Sequence, residues 1–379
     1  MKWRVNQKDY NIFDFSDEQR TAFYEKLYKE RPPIICLCNE GNGHLPLLHI
    51  RKTSKYFPAS NGSNSKKGIL HADDCIHNTL YRNFLIQRGL NIKDDGTIVC
   101  KIDTRRRRKS KSSTSDVESK SPNRLSHSVG NTHAGSAASL RTLFLALLQK
   151  YNVHHFRIGQ NRNVYKRIYK AMCESIVDGE PLNKIGYITH SNEDFIYRYK
   201  RHKFIIGWGN KNSIYQDEKG FWKIPLYCLD DPKILKMTYS IPNWVYEKAT
   251  FTNADDKKGY FVIWRKTKSN GELGDNQLIF VPSDETTMIP IESSHEGTML
   301  QYLMKNNIEF KKPLLVPGDE DYRPDFILDT QKPQVVIEVA GLMNNIDYVN
   351  HLRQKQAYYL GKGYKYLEWD VRKPLKIDI

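Results

Sequence analysis

The chain reads YRPDFIL at residues 322–328 and QVVIEVAG at residues 334–341. Two short apolar runs flank a polar break, and this pattern predicts a β-hairpin. Asp325 stands at the start of the first predicted strand, and Glu338 lies inside the second, between isoleucine and valine. Because a buried carboxylate is costly unless it is paired or bound to a metal ion, the two acids predict a site for a hard cation.

The segments around the hairpin continue an alternation of helices and strands. They are a helix from Glu296, a strand from Leu314, a helix from Asp347 and a strand from Tyr364 to Trp369. The resulting order, α-β-β-β-α-β, together with Pro324-Asp325 and Glu338, resembles the PD-(D/E)XK superfamily of restriction-endonuclease-like nucleases. The fold class expected is therefore α/β in this region and α+β for the chain as a whole.

This resemblance implies a nuclease that hydrolyses phosphodiester bonds with Mg²⁺ or Mn²⁺ as its cofactor. Asp325 and Glu338 would hold the ion, and the carbonyl of Val339 would complete its coordination. Glu296 matches the acid that the superfamily often has on its first helix. A plain acid stabilised by the helix dipole explains Glu296 equally well.

The superfamily has a lysine two residues after the second acid, where this chain has Ala340. Some members place that lysine on the following helix, which makes Lys355 the candidate. Lys355 shares a helical face with Leu352 and Tyr359, so the spacing predicts that it points toward the sheet. A lysine whose stem packs while its ammonium group reaches solvent is the alternative. Gln354 and Tyr358 resemble a pair found in exonuclease-like branches and are candidates for supporting the site.

A second cluster lies near the N-terminus, where Cys36 and Cys38 are followed after a long polar segment by His71 and Cys75. Three sulfurs and one imidazole suit a tetrahedral zinc ion, which would stabilise a region with little core. Buried cysteines that act only as small apolar residues are the alternative. This cluster, together with the C-terminal pattern, resembles an uncharacterised bacterial family found in mobile elements.

The composition favours a nucleic-acid partner. The 59 Lys and Arg residues outnumber the 43 Asp and Glu residues, which gives a formal charge of +16. Such a field attracts phosphate backbones, so DNA is the partner expected. A run of basic residues in a Ser-rich segment would lie along phosphates or serve as a solvated tether. Its members are Arg105, Arg106, Arg107, Arg108, Lys109 and Lys111.

The same patterns predict the organisation of the chain and its compartment. Residues 1–100 form a small zinc-binding module, residues 101–139 a flexible basic linker, residues 140–290 a helical pair with a β-rich middle region, and residues 291–379 the nuclease domain. No apolar run is long enough to cross a bilayer, and the cysteines do not suggest a secreted disulfide framework, so we expect a cytoplasmic protein without membrane contacts.

Three other functions remain open from the sequence. Ala340 is compatible with a non-catalytic DNA-binding protein on a degenerate nuclease fold. A nuclease subunit of a transposition, conjugation or defence complex, active only with its partners, would explain why residues 185–290 carry no chemistry of their own. A zinc-dependent transcription regulator would need a recognition helix, and none is apparent. The sequence does not distinguish DNA from RNA as the substrate.

Overall fold

The structure is a computed structural model, which describes residues 2–42, 45–52, 55–60, 71, 75, 77–93, 96–103, 137–160, 162–192, 198–249, 258–315 and 322–377. Within these ranges the chain is a mixed α/β protein with several sheets. The basic run from Arg105 to Lys111 lies outside the described residues.

The described helices are numbered α1 to α8 in chain order. Their bounds are Asp17–Glu30, Thr79–Gln87, Leu140–Lys150, Val164–Cys173, Leu182–Ile185, Asn243–Tyr246, Ser294–Lys305 and Ile346–Gly361. Polar side chains define several of the helix starts. Ser16 accepts a hydrogen bond from the backbone of Gln19 and forms a capping box before α1, and Ser293 caps α7 by accepting from the backbone of Glu296.

The described strands are numbered β1 to β21 in chain order. Their bounds are Lys2–Val5, Lys8–Asn11, Ile34–Cys36, Leu47–Lys52, Tyr56–Ser60, Leu90–Ile92, Ile98–Cys100, His155–Phe156, Ser175–Val177, Glu180–Pro181, Gly186–Ile188, Phe204–Asn210, Tyr215–Gln216, Phe221–Tyr227, Leu235–Pro242, Lys258–Thr267, Leu273–Pro282, Phe310–Lys311, Phe326–Leu328, Val335–Ala340 and Lys365–Asp370.

The C-terminal sheet has the strand order β21-β20-β19-β18-β8. Its elements follow one another along the chain as α7, β18, β19, β20, α8 and β21, which is the α-β-β-β-α-β order predicted from the sequence. The predicted hairpin is confirmed, since β19 and β20 pair antiparallel, whereas β20 and β21 pair parallel. The strand predicted from Leu314 is wrong. The first strand is the two-residue β18, because the backbone bends at Leu314 and Leu315.

Strand β8 joins the C-terminal sheet from much earlier in the chain. It pairs antiparallel with β18 and covers that edge of the sheet. Phe156 stacks on Phe310 across this pair, with 5.5 Å between ring centroids. The C-terminal sheet therefore includes a strand from the segment that the sequence analysis assigns to the helical pair.

The middle region forms a seven-stranded sheet around β12, β14, β16 and β17. The long antiparallel pairing of β16 with β17 is rich in aromatic and β-branched residues, which favour buried strands. Helices α3 and α4 pack against each other beside this sheet, and Phe144 of α3 contacts Tyr260 of β16 with 5.0 Å between ring centroids. The predicted helical pair and β-rich region are thus both present.

The N-terminal part has a five-stranded sheet of order β2-β1-β3-β4-β5 with its own small core around Trp3. Strand β7 lies at the end of the predicted N-terminal module, residues 1–100, and pairs parallel with β9 of the predicted middle region. The core that contains Leu85 also includes Phe144 and Leu315, so one apolar cluster draws on three of the predicted segments. The exact limits of the domains stay a prediction.

Candidate functional site

The two predicted acids lie close together at one end of the β19–β20 pair. Asp325 is in a bend directly before β19, whereas Glu338 lies within β20 beside Ile337, the partner of Phe326. Asp325 Oδ2 accepts a hydrogen bond of 2.8 Å from the backbone N–H of Val339. This hydrogen bond holds the side chain of Asp325 against β20, one residue from Glu338.

Lys355 reaches this pair from α8. Its side chain is buried together with those of Leu352 and Tyr359, and its Nζ lies 2.6 Å from Glu338 Oε2. The ammonium group therefore points into the protein and not to solvent. The structure places a lysine beside the second acid although Ala340 occupies the position where the sequence pattern would have one.

Glu296 is buried in the first turn of α7 and forms an ion pair with a second lysine, Lys312. Its Oε2 lies 2.9 Å from Nζ of Lys312 and accepts a hydrogen bond of 2.7 Å from the backbone N–H of Glu292. Lys312 follows β18 directly and is only 2% exposed. Lys312 is not among the residues predicted from the sequence. Its position beside Pro313 and two leucines was the available signal, because a lysine among apolar residues needs a buried acid.

Burial is the largest influence on the pKa values of Glu338 and Glu296. It raises the pKa of Glu338 to about 8, against the opposing effect of Lys355, and the charge of Asp325 raises it further. Burial likewise raises the pKa of Glu296 to about 7, where Lys312 opposes the shift and Asp325 adds to it. The three carboxylates are therefore close enough to repel one another, and a bound cation would relieve that repulsion.

Two polar atoms at this place have no hydrogen-bond partner among the described residues. They are Glu338 Oε1 and the hydroxyl oxygen of Tyr366, a residue of the adjacent β21, and both are buried. An orphaned carboxylate oxygen is a ready ligand for Mg²⁺, which prefers oxygen donors. Glu338 Oε1 and the carboxylate of Asp325 could therefore contribute oxygen ligands to a hard divalent cation.

The N-terminal cysteines and histidine form a compact group. The ligand atoms of Cys36, Cys38, His71 and Cys75 all lie within 4.8 Å of one another, and this group is the one set of three or more His, Cys, Asp and Glu residues that meets this criterion in the described ranges. The three acids of the C-terminal sheet are more widely spaced. Strand β3 supplies Cys36, and Cys38 follows it in a short 3-10 helix.

The distances in this group match a tetrahedral metal centre. Cys36 Sγ lies 3.9 Å from Cys75 Sγ, and His71 Nδ1 lies 3.4 Å from Cys38 Sγ and 3.5 Å from Cys75 Sγ. Ideal zinc–ligand bonds at tetrahedral angles predict about 3.8 Å between two sulfurs and about 3.6 Å between sulfur and nitrogen. The cluster could therefore hold a metal ion such as zinc.

The remaining predicted site residues do not contact Asp325 or Glu338 in the described part of the chain. Gln354 is on the exposed side of α8. The ring of Tyr358 stacks on Tyr322, with 4.8 Å between centroids, so it packs against the loop before Asp325. The basic residues from Arg105 to Lys111 are not described.

Comparison of the chain with protein-family models, curated proteins and solved structures finds no match. None of the described helices combines the length and the apolar character that crossing a lipid bilayer requires.

Proposed function

We propose that this protein is a metal-dependent nuclease that hydrolyses phosphodiester bonds of DNA. The observation that carries the proposal is the position of Asp325 beside Glu338, fixed by its hydrogen bond with the N–H of Val339, with the ammonium group of Lys355 2.6 Å from Glu338 and one oxygen of Glu338 left without a partner. Buried acids and a buried lysine of this kind are unusual in a purely structural role. The α-β-β-β-α-β order of the surrounding elements supports a restriction-endonuclease-like core.

Mg²⁺ or Mn²⁺, when bound, would polarise the scissile phosphate and lower the pKa of a water molecule. Asp325 and Glu338 would hold the ion, with Asp325 oriented by the N–H of Val339. Lys355 would stabilise negative charge on the phosphate. Glu296, whose pKa is raised by burial to about 7, would accept a proton from the attacking water near neutral pH. Lys312 would hold the carboxylate of Glu296 in place.

Two further features fit this proposal. The formal charge of +16 favours binding to a phosphate backbone. The Cys36, Cys38, His71 and Cys75 cluster would bind zinc and stabilise the small N-terminal sheet, which has a core of few residues. Zinc in this role is structural, because all four ligand positions come from the protein and none is left for substrate.

A second candidate is a DNA-binding protein without catalysis on the same scaffold. Ala340 and the contact of Lys355 with Glu338 favour it, because the lysine already occupies one oxygen of the acid. In that case the lysine would serve to neutralise a buried carboxylate and would not meet a phosphate.

Cleavage of supercoiled plasmid and of labelled single-stranded DNA with Mg²⁺ or Mn²⁺ tests the proposal. We expect Asp325→Asn and Lys355→Met to lower the cleavage rate by at least about a hundredfold, as loss of one group that stabilises the transition state does. Asp347→Asn and Lys365→Met change exposed residues of α8 and β21 and should leave the rate unchanged. Absence of cleavage by the wild-type protein, with DNA binding retained, would favour the second candidate.

A further inference from the structure

Tyr348 of α8 meets the backbone of β20 beside the candidate acids. Its hydroxyl group donates to the carbonyl oxygen of Val339 at 3.5 Å and accepts from the N–H of Gly341 at 3.3 Å. The N–H of Val339 donates to Asp325. In an extended strand the N–H and C=O of one residue point to the same side, so the hydroxyl of Tyr348 and the carboxylate of Asp325 lie along one edge of β20.

The start of α8 fixes the position of this hydroxyl group. Asn345 caps the helix by accepting a hydrogen bond of 3.1 Å from the backbone N–H of Tyr348. Tyr348 precedes Leu352 by four residues and Lys355 by seven, so it belongs to the helix face that packs toward the sheet. Tyr348 and Lys355 therefore approach the acids from the same helix, roughly 10 Å apart along its axis.

The two side chains differ in how they could be reached by a ligand. Lys355 is buried, and its ammonium group is 2.6 Å from Glu338 Oε2. Tyr348 is half-buried, and the neighbouring Gly341 is exposed, with open space where a side chain would begin. The hydroxyl of Tyr348 therefore lies where the site opens outward, and a ligand could reach it while Lys355 stays with Glu338.

The hydrogen of this hydroxyl group is held only weakly. Hydrogen bonds between two oxygens are usually about 2.5–3.0 Å long, so the 3.5 Å contact with the carbonyl of Val339 is a poor one. Burial, and then the charge of Asp325, raise the pKa of Tyr348 to about 12, so the hydroxyl keeps its hydrogen at neutral pH. Rotation about the C–O bond could turn that hydrogen to a better acceptor.

We propose that the hydroxyl of Tyr348 donates a hydrogen bond to a non-bridging oxygen of the scissile phosphate. This inference rests on the proposed function, in which Asp325, Glu338 and the carbonyl of Val339 hold the cation that the phosphate meets. A phosphate oxygen carries negative charge and is a stronger acceptor than the amide carbonyl that Tyr348 contacts in the free protein. Tyr348 thus binds the phosphate from the open side of the site, opposite the buried Lys355.

The first test is the affinity for a short labelled DNA duplex, measured by fluorescence anisotropy in Ca²⁺ and in EDTA. Ca²⁺ binds oxygen ligands as Mg²⁺ does, so it should bring a phosphate to the acids and strengthen binding by the wild-type protein. We expect Tyr348→Phe to weaken binding about tenfold in Ca²⁺, as for one hydrogen bond to a charged group, and to bind as wild type in EDTA. Tyr215→Phe removes an exposed hydroxyl from β13 and is the matched control.

The comparison of Ca²⁺ with EDTA separates phosphate binding from a structural role. If Tyr348→Phe weakens binding equally in both and also lowers the melting temperature, the hydroxyl serves the folded structure and the proposal is overturned. Wild-type affinity of Tyr348→Phe in Ca²⁺ would overturn it too. A wild-type protein that binds DNA no more tightly in Ca²⁺ than in EDTA would overturn both this contact and the metal site.

Single-turnover cleavage with Mg²⁺ is the second test. Tyr348→Phe should lower the cleavage rate at least about tenfold on natural DNA, because the hydrogen bond stabilises charge on the phosphate. Sulfur accepts hydrogen bonds more weakly than oxygen. On the phosphorothioate isomer whose sulfur faces Tyr348, the variant and the wild type should therefore differ much less. A structural role would slow cleavage of both substrates by the same factor.

The two tests distinguish this contact from the nuclease activity. If the wild-type protein does not cleave DNA but Tyr348→Phe weakens binding only in Ca²⁺, the phosphate contact stands and the hydrolysis fails. If the protein cleaves DNA and Tyr348→Phe binds and cleaves as wild type, the nuclease proposal stands and the phosphate contact fails.

Discussion

The Cys36, Cys38, His71 and Cys75 cluster and the acid group of the C-terminal sheet are both buried, but they differ in how their charges are balanced. Glu296 has Lys312 and Glu338 has Lys355, so each of these acids has a cation supplied by the protein. The contacts of the cysteine cluster join its sulfurs and its histidine to one another. Two of the three acids therefore have a cation from the protein before any metal binds, whereas thiolates in the cysteine cluster would depend on the metal itself.

This difference separates a metal ion needed for folding from one needed only for the proposed catalysis. A site with internal cations can keep its geometry without metal and bind metal reversibly for chemistry. A site made only of thiols and one imidazole gains its stability when the ion displaces the protons. We therefore expect the two regions to respond differently to chelators and to the loss of a single partner.

Loss of the zinc ion that we propose for the cysteine cluster should have the largest effect. We expect Cys75→Ser, or treatment with a strong chelator, to abolish cooperative unfolding of the N-terminal sheet, because a structural zinc ion contributes on the order of 10 kcal/mol. Metal analysis of the purified protein should find one zinc ion per chain. The measurements are metal content and circular dichroism during heating.

Cys173→Ser is the matched control, since Cys173 is exposed and outside the cluster. A Cys75→Ser protein that keeps both its melting transition and its metal content would show that the cysteines are ordinary core residues and would remove the contrast between the two regions.

Loss of an internal cation from the acid group should have an intermediate effect. Lys312→Met leaves Glu296 buried without its partner, and we expect the free energy of unfolding to fall by about 3 kcal/mol at alkaline pH. The loss should be smaller at pH 5, because the pKa of Glu296, already about 7, would rise further and the acid would be neutral there. Urea denaturation at the two pH values measures both quantities.

The double variant Lys312→Met with Glu296→Leu removes both charges and should recover much of the lost stability. If the single variant is as stable as wild type at alkaline pH, Lys312 does not neutralise Glu296 and the acid group is not balanced in the way described.

The smallest effect should come from Glu174, which ties the N-terminal helix α1 to α3 and α4. Glu174 accepts a hydrogen bond from Tyr151 at 2.5 Å, and lies 3.0 Å from Arg20 and 2.9 Å from Lys150. Burial raises its pKa, but these partners outweigh burial and lower it below the usual 4.5. The stability that this carboxylate provides is therefore present above pH 4.5 and is lost as the pH falls toward its folded-state pKa.

Glu174→Gln should lower the free energy of unfolding by about 1–2 kcal/mol at neutral pH and make it less dependent on pH in the acid range. Acid titration of both proteins, followed by tryptophan fluorescence, checks this. An unchanged acid transition would mean that Glu174 does not stabilise the contact of α1 with α3 and α4.

Local patterns were enough to predict the elements that carry the candidate site. The alternation of apolar runs around Asp325 and Glu338 predicted the hairpin, and the spacing of Leu352, Lys355 and Tyr359 predicted the buried face of α8. In both cases the signal lies within one or two elements, where side-chain periodicity alone decides which residues share a face.

The rest depends on contacts between distant segments, which periodicity does not encode. The pairing of Lys312 with Glu296 requires the loop after β18 to pass beside α7, and the contact of Gln149 with Leu314 requires α3 to lie beside the same loop. Gln149 helps to set this arrangement, since its side chain accepts from the backbone of Leu314 and Leu315 and donates to Tyr81. The sequence around Lys312 indicates that it is buried with an acid, but it does not indicate which acid.

The two-residue strand β8 has a consequence for the order of biosynthesis. It leaves the ribosome long before β18, the strand that it pairs with, and its partner sheet also needs β20, α8 and β21. Domains commonly fold as their residues emerge during translation. Here the sheet beside Asp325 and Glu338 cannot be completed until β21 has been made. Strand β8 must therefore wait without its partner strand while more than 150 residues are added, and the edge that it covers forms late in synthesis.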